Sequence, residues 1–302
     1  MRPAVKNILL LLCLLPGFLA SAHISAQEAV ETPIPVFVSI LPQAYFVERI
    51  GGEVVEVNVL VGPGQSPATY EPTPQQIARL SDAKLYFTIG VPFERYLLKR
   101  LGIAVNGTRL VETFRTTYDF VGFDDVREHH AEETAHHDHG DFDPHIWLDP
   151  DLAKLQARAI CDGLVMADPT NEQYYESNLN ILQADLDSVD ARISEQLAPY
   201  EGRDFYVFHP AFGHFGRAYG LHQVAIEESG KEPSAKQLAD LISKAETDGV
   251  KVIVVQEQFS TREAEAVADA VGARIVQLDP LSRDYLTNLE NIAKVLADAL
   301  KE

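Results

Sequence analysis

The stretch DPTNEQYYESNLNILQADLDSVDARISEQL, residues 168–197, decides the architecture of this 302-residue chain. Asp168 followed by Pro169 gives the pattern of an N-cap with Pro at the first helical position. Beyond it, Tyr175, Leu179, Leu182, Leu186, Val189, Ile193 and Leu197 recur in steps of three and four. That spacing puts one apolar stripe along a single helix. A helix of about 30 residues runs ~45 Å at 1.5 Å per residue, long enough to serve as a common spine for two lobes.

Both flanks of the spine alternate β-like and helical runs. On the N-terminal side, Val36 to Leu41, Val54 to Val61 and Leu85 to Ile89 are separated by the helical patterns Gln43 to Ile50, Pro74 to Ser81 and Phe93 to Leu101. On the C-terminal side, strands are expected at Phe205 to Phe208, Val224 to Ile226, Val250 to Val255 and Ile275 to Leu278, with helices near Ser234 to Thr247, Thr261 to Val271 and Asp284 to Leu300. Such alternation predicts an α/β protein of two lobes, each a parallel sheet covered by helices, joined by the spine. The expected division is a leader over residues 1–26, a first lobe over 27–168 carrying a His-rich loop at about 127–142, the connecting helix over 169–199, and a second lobe over 200–302.

The leader has the layout of a cleavable secretory peptide. Arg2 and Lys6 precede an apolar run from Ile8 to Leu19, and small residues follow at Ala20-Ser21-Ala22 and Ser25-Ala26, so the mature chain is expected to begin between His23 and Glu28 and to be periplasmic. The apolar run is shorter than the roughly 20 residues that cross a bilayer. Cys13 falls inside it, which leaves Cys161 alone after processing and predicts a protein without an internal disulfide. A net charge of -20 opposes nucleic acid as a partner, since a phosphate backbone requires a basic face.

Three separated segments end in potential metal ligands: DPHIWLDP with His145, YVFHPAFGHF with His209, and IVQLDP with Asp279. His209 and Asp279 each follow a predicted strand directly, where open α/β sheets hold their ligands. His145 precedes the helix opened by Asp149 and Pro150, on the first lobe's side, and is expected to close the site across a cleft. Imidazole nitrogen and carboxylate oxygen are the donors zinc accepts at about 2.0–2.2 Å, commonly in a tetrahedron. Singly, each is equally a loop residue or turn former; together they form a candidate triad. His214 and His222 fall within a helical pattern and at a strand start, where core or surface roles are expected. Upstream, HHAEETAHHDHGDFD places His129, His130, His136, His137 and His139 within eleven residues among acidic neighbours, a composition that forms no packed element and suits several weak, auxiliary metal sites.

The order GPGQSPATYEPTP, a His-rich tract, DPHIWLDP, VFHPAFGHFGRAYGL, EPSAKQLADLI, VVQEQFS and QLDPL resembles the metal-binding receptors of zinc and manganese ABC importers, the ZnuA/TroA type, over essentially the whole mature chain. The resemblance implies two α/β lobes on a backbone helix, a metal between them, a membrane permease as partner, a monomer, and no enzymatic activity. It assigns His145, His209 and Asp279 to three of four ligand positions. Histidine at position 209 and the His-rich tract are similar to the zinc-specific branch, and nitrogen-rich coordination favours zinc over manganese.

One position departs from the pattern. Where the family carries histidine in a stretch like SPHTYEP, this chain has Ala68, so the fourth donor is left to water, a loop histidine, Gln65 or Glu71. Three protein ligands plus water also describe a catalytic zinc site, and a zinc buffer or adhesin without a transporter shares the same features.

Overall fold

A computed structural model describes residues 32–101, 108–115, 143–227, 234–258 and 262–301. The leader and His129, His130, His136, His137 and His139 lie outside the described residues. In the first half, β1 (Ile34–Val38), α1 (Leu41–Gly51), β2 (Val55–Val59), α2 (Pro74–Ser81), β3 (Leu85–Thr88), α3 (Pro92–Leu101) and β4 (Arg109–Glu112) build a four-stranded sheet of order β2-β1-β3-β4. After α4 (Pro150–Ala167) and α5 (Glu172–Leu197), the second half repeats the design with β5 (Asp204–Val207), α6 (Gly213–Ala218), β6 (His222–Ala225), α7 (Ala235–Thr247), β7 (Val252–Val255), α8 (Arg262–Val271), β8 (Arg274–Gln277) and α9 (Tyr285–Lys301), in the order β6-β5-β7-β8. Every strand pair is parallel. Strands β3 and β7 are buried at every position, as expected where helices cover both faces of a parallel sheet.

The predicted architecture is present, with shifts at element ends. The spine α5 has 26 residues, about 39 Å. It starts at Glu172 because Pro169–Asn171 form a 3-10 turn, and the Asp168 carboxylate binds Asn171 Nδ2 at 2.7 Å and the Tyr175 hydroxyl at 2.8 Å. The seven apolar residues of the stripe are all buried. Leu41, read as strand, begins α1, because Pro42 suits the first turn of a helix and has no N–H for a ladder. The edge strand β4 was not expected; its pattern of exposed and half-buried residues lacks the apolar run that marked the others.

The spine belongs to both halves. Toward its start, Asn178 Nδ2 donates to Ile50 O at 3.0 Å, and Asp185 pairs with Arg49 at 2.6 Å. Further along, Asp190 accepts from the Tyr219 hydroxyl at 3.0 Å, and Arg192 pairs with Glu290 at 2.5 Å. Between these polar ties, one apolar core runs from Val36 and Phe87 through the spine stripe to Phe212, Val254 and Leu289. Tyr285 of α9 stacks edge-on against Phe46 of α1 with ring centres 4.8 Å apart, so the halves are also packed directly.

Candidate metal centre

In each sheet the strand order reverses beside the first strand, between β1 and β3 and between β5 and β7. The crevice beyond the carboxyl ends at such a switch point is where open α/β sheets bind ligands. The ends of β5, β7 and β8 lie side by side: Phe208 N donates to Val254 O at 2.8 Å and Leu278 N to Val255 O at 3.0 Å. His209 and Asp279, the next residues, therefore leave the same sheet edge on either side of β7.

His209 is fixed at its backbone and at its ring. Gln256 accepts from His209 N at 3.3 Å and donates its Nε2 to His209 O at 2.8 Å. Ring nitrogen Nδ1 lies 3.1 Å from Glu227 Oε1. Glu227 is buried, and the parallel register that pairs Val207 with Ala225 carries it to the side of His209. Burial lowers the pKa of His209, against the opposing pull of Glu227, which keeps the imidazole neutral at neutral pH and able to donate a lone pair.

His145 shows the same pattern. Its Nδ1 lies 2.6 Å from Asp143 Oδ1, which also accepts the His145 N–H at 3.0 Å. Burial would raise the pKa of Asp143, but His145, His214 and the backbone donor outweigh it and bring it to about 2. His214 completes the support: Arg217 donates to its Nδ1 at 3.0 Å, so its Nε2–H is left to donate to Asp143 O at 3.1 Å. Nε2 of His214 thus holds the Asp143 loop while Nδ1 is taken by Arg217 of the same helix, and the side chain is buried, the core role among the core or surface roles expected from the sequence.

With Nδ1 of both rings turned to a carboxylate, Nε2 is the donor each would offer an ion, the arrangement that fixes tautomer and direction in metal sites. The His145 and His209 ring centres stand 5.4 Å apart with their planes at 74°. Two imidazoles sharing a tetrahedral zinc, each with its ring centre about 3.2 Å from the ion, would have centres ~5.2 Å apart. The observed separation matches that spacing.

His145 was expected to reach the site from the first lobe across a cleft. Its loop is already tied to the second half. Trp147 Nε1 donates to Pro280 O at 2.7 Å, one residue beyond Asp279, and the Tyr285 hydroxyl donates to Trp147 O. The helix that follows, α4, is capped by Asp149, which accepts from Asp151 N at 2.9 Å and Leu152 N at 3.3 Å.

Asp279 is half-buried, and its Oδ1 accepts from Leu281 N at 2.9 Å and from Gln258 Nε2 at 3.1 Å. Its carbonyl accepts from Asn288 at 2.7 Å. Among the described residues, no three His, Cys, Asp or Glu side chains already converge as a group that could hold a metal. The histidine pair is assembled, and the carboxylate stands in the adjoining loop. Ala68 is exposed, and Gln65 turns its side-chain oxygen back to Gly62 N at 2.8 Å. The sequence reading missed Asp143, Glu227, Trp147 and Gln258.

Residues 36–299 match the family described as zinc-uptake complex component A, periplasmic. The chain belongs to that family. It is 31% identical over 282 residues to the high-affinity zinc uptake system protein ZnuA of Bacillus subtilis, a match covering 88% of this chain and 86% of that protein. A solved ZnuA structure superposes with a TM-score of 0.78 at 38% identity, covering 89% of this chain and 99% of that one. A zinc-bound ZnuA deletion mutant gives 0.77 at 39% identity, covering 88% and 98%. The two-sheet fold on a long helix is therefore the fold of this receptor family, whose members are solute-binding receptors rather than enzymes. No helix among the described residues is long and apolar enough to cross a membrane.

Proposed function

We propose that this chain captures zinc outside the cytoplasmic membrane and delivers it to the permease of an ABC importer. The ion is held by His145 and His209 through Nε2 and by the Asp279 carboxylate, where the two lobes meet. The observation that carries this reading is the 5.4 Å separation of the two imidazole rings, each backed by a carboxylate on Nδ1. Membership of a zinc-uptake family and the zinc named in relatives' descriptions support the choice of ion. Capture proceeds by exchange of zinc's water shell for protein donors. It stabilises the folded state by linkage, because the converged donors do not exist in the unfolded chain. The His-rich tract over residues 127–142 acts as an auxiliary collector, the leader directs export to the periplasm, and the receptor works as a monomer.

The test is competitive zinc titration of the full mature chain beside His145→Ala, His209→Ala, Ala68→His and a variant lacking residues 129–139. Each of the first two should weaken zinc severely, and Ala68→His should tighten it. Unchanged affinity in both histidine variants defeats the assignment. Uptake is tested separately: deleting the gene should slow zinc accumulation at low external zinc, and undiminished uptake would argue against delivery.

A further inference from the structure

The sequence leaves the donor that replaces the expected histidine at Ala68 without a name. We infer that Gln258 Oε1 is a fourth metal donor in this chain, supplied from the end of β7 rather than from the first-lobe loop. The inference rests on the zinc site proposed above, and its position follows from the sheet. β7 lies between β5 and β8 in the order β6-β5-β7-β8. An ion shared by His209, after β5, and Asp279, after β8, must sit above the end of β7, because strands two apart are separated by about 9.6 Å. Of the three residues that leave β7 there, Gln256 commits both ends of its amide to the His209 backbone, and Glu257 is exposed. Gln258 remains.

The orientation of the Gln258 amide is set by chemistry. Its Nε2 donates to Asp279 Oδ1 at 3.1 Å. Turning the group over would set its oxygen against that carboxylate oxygen, with no hydrogen between them. The side-chain oxygen therefore points away from Oδ1. It is buried and has no hydrogen-bond partner among the described residues. A buried carbonyl oxygen without a donor is unfavourable unless something positive meets it. A divalent cation bound to the neighbouring carboxylate is such a partner, and a carboxamide oxygen is a hard, neutral donor suited to it. The first-lobe alternatives are weaker on the same grounds, since Gln65 already spends its oxygen on Gly62 N and Glu71 is exposed.

Gln258→Leu and Gln258→Glu separate a donor from a mere support for Asp279. Leucine removes both amide functions and should weaken zinc by about 10–100-fold. Glutamate keeps an oxygen and adds charge but removes the N–H that holds Asp279. If Gln258 gives its oxygen to the ion, Gln258→Glu holds zinc at least as tightly as wild type, and the visible absorption of the cobalt(II)-loaded protein shifts with the new ligand. If Gln258 only steadies Asp279, two facing carboxylates weaken binding at least as much as leucine does and the cobalt spectrum keeps its wild-type bands, which overturns the inference. Thermal unfolding of the metal-free variants checks that both fold. His209→Ala run alongside keeps the two claims apart: unchanged zinc binding in that control defeats the site itself, whereas loss there with no change in either Gln258 variant defeats only the fourth donor.

Discussion

Replacing Glu227 tests whether the carboxylate behind His209 matters to metal capture. The Glu227 carboxylate lies 3.1 Å from His209 Nδ1, and the His209 backbone is held separately by Gln256. Removing the carboxylate should therefore leave the histidine in place while freeing its tautomer and ring direction. Partners of this kind are typically worth 10–100-fold in metal affinity, or about 1.4–2.7 kcal/mol. Glu227→Leu should show that loss in a competition titration against a chromophoric zinc chelator. Glu227→Gln, whose side-chain oxygen can still accept the Nδ1 proton, should lose about tenfold or less. Long-range proton–nitrogen spectra of the metal-free protein should show the proton of His209 on Nδ1 in wild type and Glu227→Gln, and a mixture of tautomers in Glu227→Leu. Wild-type affinity in Glu227→Leu, with His209→Ala severely weakened, would refute the reasoning.

Two further outcomes follow from buried groups. Trp147 is the sole tryptophan, is buried, and lies with its ring 5.2 Å from that of His145, so intrinsic fluorescence should change on zinc addition in wild type and stay flat in His145→Ala; a flat wild-type titration under saturating zinc would contradict the placement of His145. Glu94 is buried, and burial raises its pKa to about 7 despite hydrogen bonds from Ser39, Ile89 and Gly90. Its folded pKa exceeds the unfolded value, so the native state holds the extra proton between about pH 4.5 and 7, and stability falls as pH rises through that window, by about 3 kcal/mol at most. Denaturant unfolding from pH 5 to 8 should therefore show a steeper decline in wild type than in Glu94→Gln; parallel curves would count against it.

The parts legible in the sequence were those with strong local periodicity. The spine could be read from seven apolar residues, because a helix repeats its contacts every three to four positions, and the strand-end positions of His209 and Asp279 followed from the apolar runs before them. The supporting residues had no local signal of that strength. Glu227 meets His209 only through the parallel register of β5 and β6, and Trp147 meets Pro280 across 133 residues of chain. Asp143 was within reach, since an Asp two positions before a His can take both its N–H and its Nδ1. The tie of the His145 loop to the second half was not foreseen because order along the chain placed that loop before the spine, whereas Trp147 and Tyr285 join it to the segment after Asp279.

Anomalous diffraction at the zinc edge from crystals of the loaded full-length receptor tests the central claim most directly. One fully occupied zinc is expected at about 2.0–2.2 Å from Nε2 of both His145 and His209 and from a carboxylate oxygen of Asp279. A single zinc bound elsewhere, or one that leaves Asp279 outside its coordination sphere, would contradict the account.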